Sequence, residues 1–209
     1  LPGGVGLAHA AGRTLFVGLA APGDVVRVRI DQVRGKLAFA SIEEIVTPSP
    51  VRVEPPCPYF GACGGCDFQQ LSYAAQLDAK VEIIRDCLHR IARIESLPEI
   101  SITRSPSQWR YRARANWQYD QSTSALGYFE RGSHRVCDVA DCGVLVPELE
   151  PTFQDLRRRA RDHSLSEALN EIEAVAGDEG VSVAPALPDW PRRSVTRRIA
   201  AESYELDAA

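Results

Sequence analysis

The sequence predicts an α+β chain, a small β-barrel followed by a larger mixed α/β domain built on an antiparallel sheet. Three observations carry this. Residues 1–46 alternate apolar and polar side chains between glycine turns. One long amphipathic helix pattern follows a proline- and glycine-rich connection. Residues 105–206 then return to strand-like alternation, interrupted by one further helix.

In order along the chain, Arg13–Gly18, Asp24–Gln32 and Lys36–Ile45 read as strands. Val26, Val28 and Ile30 alternate with Arg27, Arg29 and Asp31, the pattern of a half-buried strand. Pro22-Gly23 and Arg34-Gly35 mark turns. Such a barrel is either a plain structural module or an OB-like nucleic-acid module. Gly4-Val5-Gly6 is read as a turn, because His9 stands where a GxGxxG loop needs its third glycine. Residues 47–66 form a loop-rich connection. Residues 71–94 predict a helix whose Leu77, Val81, Ile84, Leu88 and Ile91 form one apolar face in need of cover.

Around residue 110, Tyr111, Ala113, Ala115, Trp117 and Tyr119 alternate with Arg110, Arg112, Arg114, Asn116 and Gln118. A strand here places three arginines on one face. They call for a polyanion such as RNA phosphate, or for acidic neighbours, and the alternation does not choose. Gln121–Ser124 reads as a turn and Ala125–Glu130 as the return strand. Residues 147–163 predict a helix with Leu149, Phe153, Leu156 and Ala160 on one side, and Arg157, Arg158, Arg159 and Arg161 as a solvated face. Residues 166–187 read as a hairpin around Asp178-Glu179-Gly180, and 192–206 as further strand.

Composition narrows the setting. The 209 residues carry a net charge of −4 and are 44% hydrophobic, which argues against a disordered chain. No apolar run approaches the roughly 18–20 residues of a membrane span, and the opening Leu-Pro-Gly-Gly shows no signal-peptide pattern. A cytoplasmic location is expected. With no methionine in the chain, a processed product or a piece of a longer protein is expected. Charge is uneven: residues 1–114 hold 14 basic against 11 acidic side chains, and residues 115–209 hold 10 against 17. The acidic total therefore does not exclude a nucleic-acid partner. Arginine supplies all the basic side chains except Lys36 and Lys80, which suits phosphate recognition or reflects a composition bias of the genome.

Cys57, Cys63 and Cys66 lie within ten residues, and Cys87, Cys137 and Cys142 follow at a distance. Without secretory features, a metal or cluster site is favoured over disulfides. Gly64-Gly65 lets the backbone turn tightly and aim amides at a sulfur-rich anion. A four-ligand site needs one more thiolate, with Cys142 and Cys137 as candidates and Cys87 the weaker one. Spacing alone orders iron–sulfur ahead of zinc, with unligated structural cysteines third.

The residues then resemble a family. The glycine-punctuated barrel is followed by Pro48-Ser49-Pro50-Val51-Arg52 and by Cys57-x5-Cys63-Gly64-Gly65-Cys66-Asp67-Phe68-Gln69-Gln70, with Tyr73, Gln76 and Lys80 beyond. Later come Tyr111-Arg112-x-Arg114, Leu126-Gly127-Tyr128, Ser133-His134 and Asp141-Cys142. This is similar to bacterial RNA uracil-5-methyltransferases that carry an N-terminal TRAM domain and an iron–sulfur cluster. The likeness is strongest over residues 1–147. It implies a TRAM-like OB-fold barrel over 1–47 and an iron–sulfur central domain over 48–209. It also implies Cys57, Cys63, Cys66 and Cys142 as ligands of a structural 4Fe–4S cluster, selecting Cys142 over Cys137. Gly143 stands where close relatives commonly have proline.

Further implications are RNA as partner, 23S rRNA above tRNA, with Arg110, Arg112 and Arg114 as RNA contacts. S-adenosylmethionine would bind in a methyltransferase domain that this chain lacks, so no catalytic residue is assigned. The helix at 71–94 would then pack on that domain. The rival readings are a stand-alone iron–sulfur or zinc nucleic-acid-binding module, a tRNA uracil-5-methyltransferase, and a metal-free structural domain.

Overall fold

A computed structural model describes residues 1–166, 168–187, 190, 193–199 and 202–208. It divides into two compact units, Leu1–Gly61 with Cys66–Ser105, and Ala62–Gly65 with Pro106–Ala209. Compactness thus groups residues 48–61 and the long helix with the first sheet, where the sequence suggested a division at 47/48.

The first unit holds β1 (Val5–Ala10), β2 (Arg13–Gly18), β3 (Val25–Arg34) and β4 (Leu37–Thr47) in the order β1-β2-β4-β3. Three of these match the expected strands to within two residues. The fourth, β1, is not among the expected strands and takes in part of the Gly4-Val5-Gly6 turn: Val5–Ala10 pairs antiparallel with Arg13–Gly18. β2 runs parallel to β4, and β3 antiparallel to it through several bulges. Pairing ends at β1 on one side and β3 on the other. Leu15, Val17, Ala38 and Ala40 form the buried face, with Ala20, Val28 and Ile42 packed against them.

Asp24 ties residues 48–61 to this sheet. Its carboxylate accepts from the backbone N–H of Ala21 at 2.7 Å and of Ser49 at 2.9 Å, and from Arg52 Nη2 at 2.6 Å. Arg52 also donates to the Leu19 carbonyl at 2.9 Å. The pair is nearly dry, with side-chain exposures of 13% for Arg52 and 1% for Asp24. Burial alone would raise the Asp24 pKa. The Arg52 hydrogen bonds and the two amides outweigh it and hold the carboxyl below its ordinary value.

Helix α1 (Tyr73–Arg90) begins at the Ser72 N-cap, whose Oγ accepts from Ala75 N–H at 3.4 Å. Leu77 is its buried residue, while Ile84 and the C-cap Ile91 are 47% and 80% exposed. The apolar face is thus fully buried only near its start, with Val81 and Leu88 half-buried farther on.

The second unit is a five-stranded antiparallel sheet of β5 (Arg114–Asp120), β6 (Ala125–Phe129), β7 (Val136–Asp138), β8 (Glu171–Ala176) and β9 (Val181–Ala184), ordered β7-β6-β5-β8-β9. The β8–β9 pair is the expected hairpin. β10 (Val195–Ile199) and β11 (Glu202–Leu206) form a separate ribbon within the expected 192–206, of which 192, 200 and 201 lie outside the described residues. After a 3-10 turn at Pro147–Leu149 comes α2 (Glu150–Arg161), which buries Phe153, Leu156 and Ala160 as expected. Phe153 stacks on Trp117 with ring centroids 4.9 Å apart.

The arginine run on α2 needs correction. Arg158 and Arg161 are exposed, but the Arg157 side chain is only 3% exposed. It donates to Asp138 Oδ1 at 2.5 Å and to the carbonyls of Leu126 and Val139. Position 157 follows Leu156 by 100° on the helix, close enough to the buried face for its stem to enter the core. No helix among the described residues is long and apolar enough to cross a membrane.

Two stability outcomes follow from these buried ions. Arg157→Ala is expected to destabilise the protein by about 3 kcal/mol, whereas Arg158→Ala, exposed and paired within its own helix, changes it by under ~0.5 kcal/mol. Thermal melts compare them directly. Asp24→Asn is expected to cost about 3 kcal/mol at neutral pH. Because the Asp24 pKa is depressed, its stabilisation is present above the unfolded carboxyl pKa and is lost as pH falls through the folded value. The gap between wild type and variant should therefore close in melts taken below about pH 4.

Candidate functional site

In the second unit the segment Ala62–Gly65 lies along the end of β6 as a short extra strand. Cys63 bridges antiparallel to Glu130. Gly64 N–H donates to the Phe129 carbonyl at 2.9 Å, and Arg131 N–H to the Ala62 carbonyl at 2.8 Å. A Cβ on Gly64 would stand 2.9 Å from that Phe129 oxygen, so any other residue would push the segment away. Gly65 N–H then turns to the Cys63 sulfur at 3.4 Å. The Gly65 carbonyl accepts from Arg112 Nη2 at 3.1 Å.

Cys142 is placed by a second backbone track. Arg110 N–H donates to the Gly143 carbonyl at 3.0 Å, Arg112 N–H to Val144 at 2.8 Å, and Val146 N–H returns to Arg112 at 3.1 Å. Tyr128 on β6 lies near the Cys142 thiol. Burial pushes the tyrosine hydroxyl well above its ordinary pKa, Cys142 adds to this, and Arg112 opposes it. The Tyr128 hydroxyl and the Trp117 indole N–H are both shielded from solvent, and Trp117 and Cys142 are the hydroxyl's polar neighbours. Sequence reasoning had read both only as members of an alternating strand pattern and a motif. A groove of about 400 Å³ opens beside them, lined by Gly64, Gly65, Asn116, Gln118, Tyr128 and Arg131 among others.

All six cysteines are half-buried thiols. Cys57 and Cys66 belong to the first unit, Cys63 and Cys142 to the second. The Cys57 carbonyl closes a turn by accepting from Phe60 N–H at 3.1 Å. Among the described residues, no group of three or more His, Cys, Asp or Glu is arranged to hold a metal ion. Within the second unit one local feature suits a sulfur ligand: the Gly65 amide faces the Cys63 sulfur.

The three arginines do not form the continuous stripe that alternation suggested. β5 starts only at Arg114, and Arg110 has φ of 57°, which breaks the strand pattern upstream. Each finds its own anionic or carbonyl neighbour. Arg110 pairs with Glu150 at 2.8 Å, and Arg114 with Glu173 at 2.7 Å and with the Asp207 carbonyl. Arg112 supports the Gly65 loop. Acidic neighbours, the alternative left open above, do answer two of the three charges.

The first unit offers a different exposed surface. Cross-strand partners align Leu7, Phe16, Phe39 and Gln32 in one row, and His9, Thr14, Leu37 and Arg34 in the next. Phe16 and Phe39 stack with centroids 5.3 Å apart, and the Arg34 guanidinium stands 5.8 Å from the Phe39 ring centre. Residues 5–23 and 32–42, which supply these rows, contain no Asp or Glu.

No family model matches the chain. Over 94% of its length it is 33% identical to a protein of Methylococcus capsulatus named 23S rRNA (uracil(1939)-C(5))-methyltransferase RlmD, and covers 45% of that protein. Proteins of the same name from Pectobacterium atrosepticum and Halomonas elongata are 34% and 36% identical over 86% and 82% of the chain, which covers 40% and 36% of them. The chain therefore spans less than half the length of these relatives. It also superposes with a TM-score of 0.65 and 20% identity on the crystal structure of Pyrococcus abyssi tRNA (uracil-54, C5)-methyltransferase in complex with S-adenosyl-L-homocysteine, over 92% of this chain and 55% of that one. This likeness shows a shared fold. The resemblance read from the motifs is thus met by homologues along most of the chain.

Gly64→Ala should test the close approach. It is expected to cost about 1–3 kcal/mol, as overpacking against backbone does, while Gly132→Ala, where no atom lies within 4 Å of an added Cβ but φ is +70°, is expected to cost about 1 kcal/mol. Chemical denaturation of the two variants would show the ordering, and equal losses would sink the steric account.

Proposed function

We propose that this chain is the RNA-recognising and iron–sulfur-binding part of an S-adenosylmethionine-dependent RNA uracil-C5 methyltransferase that acts on 23S rRNA in the cytoplasm. The observation that carries the reading is the similarity, over 94% of the chain, to a protein named for that reaction. The cysteine motif Cys57-x5-Cys63-Gly64-Gly65-Cys66, with Cys142 beyond, supports it as well.

Cys57, Cys63, Cys66 and Cys142 would hold a 4Fe–4S cluster. When bound, the cluster supplies four metal–thiolate bonds that brace the chain rather than chemistry at the uracil. The chain's own residues prepare for it: Gly65 N–H faces the Cys63 sulfur, and Arg112 steadies the Gly65 carbonyl. RNA would be met first by the open four-stranded sheet of the first unit, in the TRAM-like segment. Phe16 and Phe39 present aromatic faces, and Arg34 adds positive charge beside the Phe39 ring. Arg110 and Arg114, with side chains 42% and 54% exposed, remain accessible for phosphate contacts. Methyl transfer is assigned to no residue of this chain. The exposed face of α1, with Ile84 and Ile91, would be covered by the portion of the relatives' length that this chain does not span.

Two measurements test the reading. Anaerobically purified protein should be brown and hold iron and sulfide. Serine at Cys57, Cys63, Cys66 or Cys142 should abolish this and lower Tm, while Cys137→Ser should not. Colourless protein with stoichiometric zinc would refute the cluster. In a fluorescence titration, Phe39→Ala should weaken binding of a single-stranded 23S fragment about tenfold, as loss of one stacked base implies. Equal affinity of wild type and variant would remove the sheet from the RNA site.

A further inference from the structure

The groove of about 400 Å³ on the second unit is lined by Gly64, Gly65, Asn116, Gln118 and Phe129 among others, all of them residues of that unit. Its volume falls in the range of small-molecule sites, roughly 300–1,000 Å³. Trp117 turns to α2 and stacks on Phe153, so Asn116 and Gln118 rise from the opposite face of β5. The carboxylates around them are engaged. Glu171 accepts from the Asn116 amide, Glu173 pairs with Arg114 at 2.7 Å, and Glu130 pairs with Arg135 at 2.6 Å. Gln118 differs. Its cross-strand neighbours are Gly127, which has no side chain, and Glu171, whose carboxylate already accepts from Asn116. The half-buried Gln118 amide makes no hydrogen bond among the described residues. Phe129 adds a ring that is 38% exposed and held edge-on by His134, with centroids 5.5 Å apart.

We propose that this groove is a nucleobase subsite, which takes one unstacked base of the RNA, hydrogen-bonded along its edge by the Gln118 amide and stacked on Phe129. The inference rests on the RNA-recognition reading above and adds the place in the second unit where a base, rather than the backbone, is held. A side-chain amide sets an acceptor beside a donor, which complements a base edge. A phosphate only accepts, and the nearby carboxylates disfavour it. An exposed aromatic ring is a stacking platform for a splayed-out base. Contacts from Arg110 and Arg114 to phosphate would fix register without reading sequence, whereas a base edge held by Gln118 lets this unit discriminate between sequences.

The experiment is a fluorescence titration of the full chain with a single-stranded 23S rRNA fragment, repeated across a series of salt concentrations. Gln118→Leu keeps the bulk of the side chain and removes the amide. It should weaken binding about fivefold or more, the lower end of what a bidentate base contact is worth. The slope of log affinity against log salt should stay in place, because no phosphate contact is lost. Making the nucleotides of the fragment abasic one at a time should reveal a position that costs the wild type a similar factor and costs Gln118→Leu almost nothing. Gln121→Leu, in the exposed turn after β5, is the control and should bind as the wild type does. Should Gln118→Leu fail to fold, the wild type alone still decides: direct ultraviolet crosslinking, which needs no modified base, should couple the fragment to the peptide that holds Phe129. Unchanged affinity in Gln118→Leu, a flattened salt slope, no abasic position that separates the two proteins, or crosslinks that all lie elsewhere would overturn the subsite while leaving RNA recognition by the chain intact. Wild-type protein that does not bind the fragment would overturn both.

Discussion

The second unit depends on the backbone contact between Gly64 and Phe129. The Ala62–Gly65 segment can lie against β6 only because Gly64 has no side chain. That contact fixes where Cys63 stands, turns the Gly65 amide onto its sulfur and leaves the Gly65 carbonyl within reach of Arg112. Gly127, one strand position from Tyr128, is held by the same constraint: a Cβ there would collide with the Cys137 carbonyl on β7. Close backbone approach on both sides of β6 therefore holds the strand that carries Tyr128. The sulfur-facing Gly65 amide is positioned by hydrogen bonds between main chains, which tolerate far less drift than long side chains do.

Arginine has a further role in this fold. Arg52 uses its fork on both oxygens of Asp24 and a carbonyl at once, and Arg157 joins Asp138 to two carbonyls inside the second unit. A lysine could not span either set, because an ammonium offers its donors from one point. The near absence of lysine, which composition alone left between phosphate recognition and genomic bias, is at these two positions a structural matter. Burial would raise both carboxyl groups, yet the arginine hydrogen bonds hold each below its ordinary pKa.

Legibility varied with the range of the interaction. The β5–β6 hairpin, the α2 core positions and the β8–β9 hairpin follow from periodicity and turn residues, which are local properties. The strand β1 was missed because Gly4-Val5-Gly6 carries a turn signal that pairing with β2 overrides. The arginine stripe failed at Arg110, whose positive φ no alternation reveals. Arg157 was read as solvated because its neighbours Arg158 and Arg161 are. Its burial depends on Asp138, 19 residues away.

The sequence by itself determined most of the strand and helix inventory, the cysteine motif and the family resemblance, because these rest on residue types at short spacings. Only the tertiary structure decided which arginines are bound and which are accessible, and that the Tyr128 hydroxyl is buried beside Cys142. Those outcomes depend on which distant segments meet. Hydrogen bonding and burial are settled between such segments, and no spacing along the chain encodes them.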